Sequence, residues 1–346
     1  MNNAQQSLHN NREEASAPDD LVEGLIVDGS RGQYRVETPQ GRFLCTIRGR
    51  LRKELEYPES TGARRSVRKV KVREKDPVAI GDRVALLPTG GGVGVIERVL
   101  ARAGGSFTRD DPDPGGRTLT SVANLDQLVM VFAAREPTPH LRLLDRFLVV
   151  AEAQELAAVI CVNKADLGVP SWLRERLEVY RQIGYLVILA SAERGEGLDE
   201  LRARLAGRVS AFVGPSGVGK SSLLNALQPD LGQRVSAVGA TTHKGRHTTT
   251  GTRLFPLDGP AGGYVADTAG IRALAVSNDG ARLDHCFPEF RPYLGTCRLA
   301  DCTHIHEPGC AVLAAVEARA LDAERYDSYC RLLTGEAAAL DWDQIE

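Results

Sequence analysis

The chain has 346 residues, 42% of them apolar and 25% charged, with a formal net charge of −2. That length allows two or three domains with real cores. The near-neutral charge excludes a uniformly basic nucleic-acid binder, no apolar run approaches the ~18–20 residues of a membrane span, and seven scattered cysteines do not make a secreted disulfide framework.

The first twenty residues, MNNAQQSLHNNREEASAPDD, are polar and without an apolar segment. They read as a disordered tail, and the expectation is a cytoplasmic protein. Residues 21–103 then carry short strand patterns. LVEGLIVDGSRGQYRVET gives two strands around a Gly-containing turn, and GRFLCTIRGRL, KVKVRE, IGDRVALLP and VGVIERVL follow. Several short strands with turn signals between them predict a small closed β-barrel, either oligonucleotide-binding (OB-like) or SH3-like. Within this region, residues 42–75 hold twelve Lys/Arg against four Glu, a local +8. Such a run is either a solvated strand face with a loop or a phosphate-binding surface.

Residues 104–120, GGSFTRDDPDPGGRTLT, are rich in Gly, Pro and Asp and read as a linker. From 121 to 275 the texture changes. Short continuous apolar runs (LDQLVMVFAA, LAAVICVN, YLVILASA, VSAFVG, YVADTAG) are separated in places by helical patterns at Leu141–Gln154 and Trp172–Ile183. Buried parallel strands alternating with helices indicate a doubly wound α/β domain. Residues 276–346 are loop-rich around a Cys/His cluster and end in a helical pattern from about 311.

Three motifs in the α/β region carry chemistry. Gly214-Pro215-Ser216-Gly217-Val218-Gly219-Lys220-Ser221, continued by Ser222, matches the phosphate loop G-x-x-x-x-G-K-[ST] between an apolar strand and a helical pattern. Its glycines let backbone N–H groups curl around a phosphate. The helix N-terminus favours the negative charge. Lys220 is expected on the β- and γ-phosphates and Ser221 on Mg²⁺. Asp267-Thr-Ala-Gly270 ends an apolar run. Asp267 is expected at Mg²⁺ and the Gly270 N–H as a γ-phosphate sensor. Asn163-Lys164-Ala-Asp166 selects the base. The Asp166 carboxylate matches the adjacent N1–H and N2–H₂ donors of guanine, which adenine lacks. Asn163 can bond elsewhere on the base edge, the Lys164 stem can pack on the ring, and Ser191-Ala192 can offer a backbone N–H. These choices favour GTP over ATP.

The order of these motifs is inverted. Most GTPases run from phosphate loop through D-x-x-G to N-K-x-D, whereas here N-K-A-D comes first. Joining the old chain ends and cutting a surface loop produces this order, a circular permutation. One expected consequence is that the segment after Asp267 runs directly into the C-terminal domain, so γ-phosphate loss could pull on that domain.

Between the phosphate loop and Asp267 lies GATTHKGRHTTTGTRLF, a Gly/Thr-rich loop. One of its threonines is expected to complete the Mg²⁺ shell; spacing favours Thr249, with Thr248 and Thr250 as alternatives. The position where many GTPases carry a water-orienting Gln is Ile271, which cannot hydrogen-bond water. Either hydrolysis is very slow alone or another group acts, and His247 is the candidate. Cys297-x₄-Cys302-x-His304-x₅-Cys310 offers three thiolates and an imidazole within fourteen residues. That set suits one structural, tetrahedral Zn²⁺, with His306 as the alternative to His304.

Motifs and order together resemble the circularly permuted, ribosome small-subunit-dependent GTPase family (RsgA) over nearly the whole chain after the tail. GRHTTT at 245–250 is similar to the family's switch I, and DTAG departs from the more usual DTPG. The resemblance implies an OB-like barrel, a permuted GTPase core and a zinc domain. It implies GTP hydrolysis in late maturation of the small ribosomal subunit, stimulated by that subunit, with barrel and zinc domain on its rRNA. A monomer is expected. The competing readings are an RNA-binding chaperone that uses GTP only as a switch with negligible hydrolysis, and a metabolic nucleotide kinase, against which the guanine motif argues.

Overall fold

The computed structural model describes residues 20–30, 32–52, 78–110, 118–233, 235, 253–259, 261–266 and 282–335. The expected strand at 69–74 and the tail before Asp20 fall outside these residues.

The first five strands are β1 (Val22–Ser30), β2 (Gln33–Thr38), β3 (Gly41–Ile47), β4 (Arg83–Gly90) and β5 (Val93–Val99). They close into a barrel in the order β1-β2-β3-β5-β4. Every pairing is antiparallel except β3 with β5. This order and the single parallel pair are those of an OB-type barrel. Alternation drives closure: Tyr34 and Val36 on β2 and Cys45 and Ile47 on β3 point inward onto Ile26, Val84, Leu86 and Ile96.

Residues 104–120 are more ordered than the linker their composition suggests. β6 (Gly105–Asp110) pairs antiparallel with β7 (Thr118–Leu125). The Gly/Pro-rich 111–117, whose composition suggests a linker, joins the two strands and lies outside the described residues.

The central sheet has six strands in the order β10-β9-β8-β11-β13-β12. They are β8 (Gln127–Ala133), β9 (Ala157–Asn163), β10 (Leu186–Leu189), β11 (Val209–Val213), β12 (Leu254–Pro256) and β13 (Tyr264–Ala266). Only β12, at the edge, is antiparallel. All seven residues of β8 are buried, because helices cover both faces. Leu128, Met130 and Phe132 pack on the side of α1 (Leu141–Ala153) and α2 (Ser171–Ile183). Val129, Val131 and Ala133 pack on the side of α3 (Leu198–Leu205) and α4 (Lys220–Leu227). The phosphate-loop strand β11 sits between β8 and β13, although the chain reaches it only after β9 and β10. That placement is the permutation seen as topology.

The C-terminal part consists of two 3-10 turns (Leu283–Cys286 and Pro288–Tyr293), the Cys/His loop, and helices α5 (Ala311–Glu317) and α6 (Ala323–Thr334). It docks on the GTPase sheet's helices. Val149 of α1 joins its apolar cluster with Phe287, Phe290 and Tyr329. Arg325, fully buried, donates to Asp145 of α1 at 2.6 Å and to Glu289 at 2.7 Å, with its guanidinium 4.5 Å from the Phe287 ring. Tyr180 of α2 donates to the same Asp145 at 2.8 Å. Burial works against the Arg325 charge, but the two carboxylates outweigh it and hold the guanidinium above its ordinary pKa. Arg176 of α2 makes a fork of bonds, 2.7 and 2.8 Å, to Asp322, which in turn caps α6.

Candidate functional site

The loops that leave β9, β10 and β11 all lie at the carboxyl ends of parallel strands, where such sheets bind ligands. They enclose a cavity of about 360 Å³ lined by Asn163, Lys164, Asp166, Leu167, Ala192, Glu193, Gly219 and Ser222. The residues expected to read a base and the end of the phosphate loop therefore meet at one site.

Asn163 ties the three loops together. It is 1% exposed. Its Nδ2 donates to the Val218 carbonyl at 2.9 Å, and its Oδ1 accepts from the Ala192 N–H at 3.1 Å. The side chain expected on the base edge here bonds to both neighbouring loops. Gly219 shows why no side chain fits beside it. Its φ is +90°, and a Cβ there would come within 2.4 Å of Asn163 Nδ2.

Ser191 is buried and closes its own turn by accepting from the Arg194 N–H at 3.0 Å. Asp166 follows Lys164, which takes a left-handed φ of 59° and donates to the Glu136 carbonyl at 2.5 Å. In the phosphate loop, Val218 is buried in the core while Ser216 and Gly217 are exposed. Lys220 bends back to donate to the carbonyls of Gly214 and Pro215, at 2.7 Å each. Ser221 and Ser222 are exposed in the first turn of α4. His247, Thr249, Asp267, Gly270 and Ile271 lie outside the described residues.

The second cluster is in the C-terminal part. The ligand atoms of Cys297, Cys302, His304 and Cys310 lie within 4.8 Å of one another. His304 Nδ1 faces the sulfurs of Cys297 and Cys310 at 3.5 and 3.4 Å. Its Nε2 is buried without a hydrogen-bond partner within bonding distance, and Asp284 Oδ2 lies 3.6 Å away. A carboxylate behind a ligating imidazole is the usual outer partner of a metal-bound histidine, so the donor set fits a metal ion. Burial disfavours ionisation of Cys297, but the amides of Ala311 and Val312 and the neighbouring thiols outweigh it and lower its pKa. Tyr326 and Tyr329 donate to the carbonyls of His304 and Thr303, at 2.8 Å each, and hold the loop on α6. His306 is exposed and stands apart from the four.

Known proteins share this architecture. The profile described as RsgA GTPase matches residues 106–277. The "Small ribosomal subunit biogenesis GTPase RsgA" of Gemmatimonas aurantiaca is 44% identical over 315 residues, covering 89% of this chain and 95% of the relative. The chain belongs to the RsgA GTPase family. The relative of the same description from Moorella thermoacetica is 41% identical, covering 90% of this chain and 96% of its own length. The crystal structure of YjeQ from Thermotoga maritima superposes with a TM-score of 0.70 at 33% identity, covering 91% of this chain and 98% of that one. YloQ, titled a circularly permuted GTPase, matches at 0.66 and 27%, covering 95% and 97%.

Within this RsgA-type frame, three contributors escaped the motif reading. Glu193 and Leu167 line the cavity; each adjoins a motif, so adjacency was the available signal. Asp284 stands twenty residues before His304 with no spacing rule to connect them. No helix among the described residues is long and apolar enough to cross a membrane.

Proposed function

We propose that this chain hydrolyses GTP and acts in late maturation of the small ribosomal subunit, its turnover stimulated by the subunit. The observation that carries the proposal is the convergence of Asp166, Ala192 and Gly219 on one cavity, with Asn163 bonded to both neighbouring loops.

In this reading Asp166 accepts from the guanine N1–H and N2–H₂, the Lys164 stem covers the ring and Ala192 lies at its edge. Gly214 to Ser222 surround the phosphates. Lys220 exchanges the carbonyls of Gly214 and Pro215 for phosphate oxygens. Ser221, Asp267 and one threonine, Thr249 by spacing, hold Mg²⁺, which would neutralise developing charge on the phosphates. Gly270 senses the γ-phosphate. With Ile271 unable to orient water, His247 takes that task.

Zn²⁺ is the metal that three thiolates and one imidazole suit, and its role is structural. The division follows the sequence boundaries: a tail at 1–20, barrel at 21–103, GTPase domain at 121–275 and zinc domain at 276–346. The strand pair β6–β7 links the barrel to the GTPase domain across the segment 104–120. The protein works as a cytoplasmic monomer, with barrel and zinc domain against ribosomal RNA phosphates.

The test is GTP hydrolysis by the purified protein alone, with small subunits, and with large subunits as control. Stimulation by small subunits only is expected. Equal rates in all three conditions, despite tight guanine-nucleotide binding, would overturn the proposal in favour of a GTP switch without turnover.

A further inference from the structure

The barrel meets the β12–β13 edge of the GTPase sheet through two side-chain arrangements of one design. Asp28 Oδ2 on β1 takes Arg253 Nη2 at 2.6 Å and Arg35 Nη1 at 3.3 Å. Glu37 on β2 accepts from the Tyr264 hydroxyl at 2.8 Å through Oε2 and from Arg42 Nε at 2.8 Å through Oε1. Each carboxylate therefore holds one donor from the GTPase domain and one arginine of its own barrel. Arg35 lies opposite Asp28 and Arg42 opposite Glu37 in the strand register.

Exposure divides the partners by role. The side chains of Asp28 and Glu37 are each 18% exposed, whereas those of Arg35 and Arg42 are 53% and 66% exposed. The arginines thus face solvent and the carboxylates lie beneath them at the domain boundary. The GTPase-side donors are placed where they matter. Arg253 immediately precedes β12, the strand that leads out of the Thr-rich segment. Tyr264 opens β13, the strand that runs into Asp267. Burial, then the Glu37 carboxylate, pushes the Tyr264 phenol up to about 12, keeping it a hydrogen-bond donor well into the alkaline range.

We infer that Asp28 and Glu37 form a relay between domains, through which a phosphate backbone docking on Arg35 and Arg42 alters the hold on Arg253 and Tyr264 and so regulates the nucleotide site. This rests on the reading that GTP occupies that site and ribosomal RNA meets the barrel. The physical step is competition for guanidinium. Phosphate offers Arg a fork of acceptors at least as good as a carboxylate. Once Arg35 turns to a phosphate, the whole charge of Asp28 belongs to Arg253. Once Arg42 does so, Tyr264 is the one close partner of Glu37 among the described residues. The equilibrium of both strands then depends on whether RNA is bound, which is the reciprocal coupling that regulation requires. Exposed ion pairs are individually weak, so the expected effect is a modest factor.

The deciding experiment uses the full chain carrying Asp28→Asn and Glu37→Gln together. GTP turnover is measured alone and with small subunits, and subunit binding by co-sedimentation. Turnover alone and binding are expected to stay within about threefold of the parent protein, while stimulation falls by about fivefold or more. Tyr264→Phe, which removes one hydroxyl, should show a smaller fall in the same direction. Arg35→Gln with Arg42→Gln should weaken binding and reduce the salt slope by about two. Undiminished stimulation of the bound carboxylate variant would overturn the relay. So would a loss of unstimulated turnover as large as the loss of stimulated turnover, since that marks an ordinary structural role. If the parent protein itself is not stimulated, the proposed function fails instead. The relay is then judged by release of a fluorescent GDP analogue in the presence of a short single-stranded RNA. A response in the parent and none in the carboxylate variant supports it, and equal responses overturn it.

Discussion

Replacing Asn163 by Ala tests whether the site is held together by one amide. The substitution removes the bond from Nδ2 to the Val218 carbonyl and the bond from the Ala192 N–H to Oδ1. Each such bond contributes about 0.5–1.5 kcal/mol net, and a partner left without a replacement costs more. Ala192 lines the cavity, so water can replace its bond and that loss stays near about 0.5–1 kcal/mol, whereas the Val218 carbonyl is buried and losing its partner costs about 1.5–2 kcal/mol. Together they give about 2–3 kcal/mol, lost from the arrangement of three loops rather than from any bond to the nucleotide. Guanine nucleotide must restore that arrangement when it binds, so GDP affinity should fall roughly 30- to 150-fold. Asn163→Asp separates the two bonds. It keeps an acceptor for Ala192 but sets a carboxylate against the Val218 carbonyl, and should bind no better than the alanine variant. Titration with a fluorescent GDP analogue reads both. Affinity within threefold of the parent for Asn163→Ala would refute the reasoning and return Asn163 to a dispensable role.

Other outcomes follow from the same geometry. Asp166→Asn should lower guanine-nucleotide affinity by at least about 100-fold while improving xanthine-nucleotide binding, because an amide N–H then faces the position of a 2-oxo group; competition binding with the two nucleotides checks this. Arg325→Met leaves Asp145 and Glu289 buried without their cation and should cost about 3–5 kcal/mol in urea denaturation. Replacing all three by apolar residues should recover most of that loss. Cys310→Ser should abolish stoichiometric metal, measured by elemental analysis, and lower the melting temperature. The serine hydroxyl still offers an acceptor to the Leu313 N–H that Cys310 Sγ caps at the start of α5, so the fall reads the metal and not the cap.

What the sequence made legible was local. The phosphate loop, the N-K-A-D turn and the Cys/His spacing are short backbone devices whose chemistry fixes residue type and interval together. β8 and β9 were readable because strands buried on both faces are continuously apolar. The barrel's strands were readable too, but not its type. The choice between OB-like and SH3-like depends on which strands pair, and the parallel β3–β5 contact has no sequence signature. The hairpin β6–β7 was hidden by its Gly/Pro-rich connection. The least legible contributions join distant residues: Asn163 to Val218, Asp284 to His304, and Arg325 to Asp145. In each, an ordinary polar residue acquires its role only when the fold supplies the partner.

The strand order also sets a timetable for synthesis. Of the central sheet, the ribosome delivers β8, β9 and β10 first, three strands that neighbour one another in the finished sheet, together with α1 and α2. That first part already carries Asn163, Asp166 and Ser191. The inner edge of β8 must then wait from Ala133 until Val209 for β11 to arrive and cover it. An apolar edge left open that long is an invitation to mispairing. On the proposed site assignment, the nascent protein therefore receives the residues for the base before those for the phosphates. The phosphate-loop strand β11 covers that edge, and its own far edge is covered only when β13 arrives, so the core closes last at the strand that leads into Asp267.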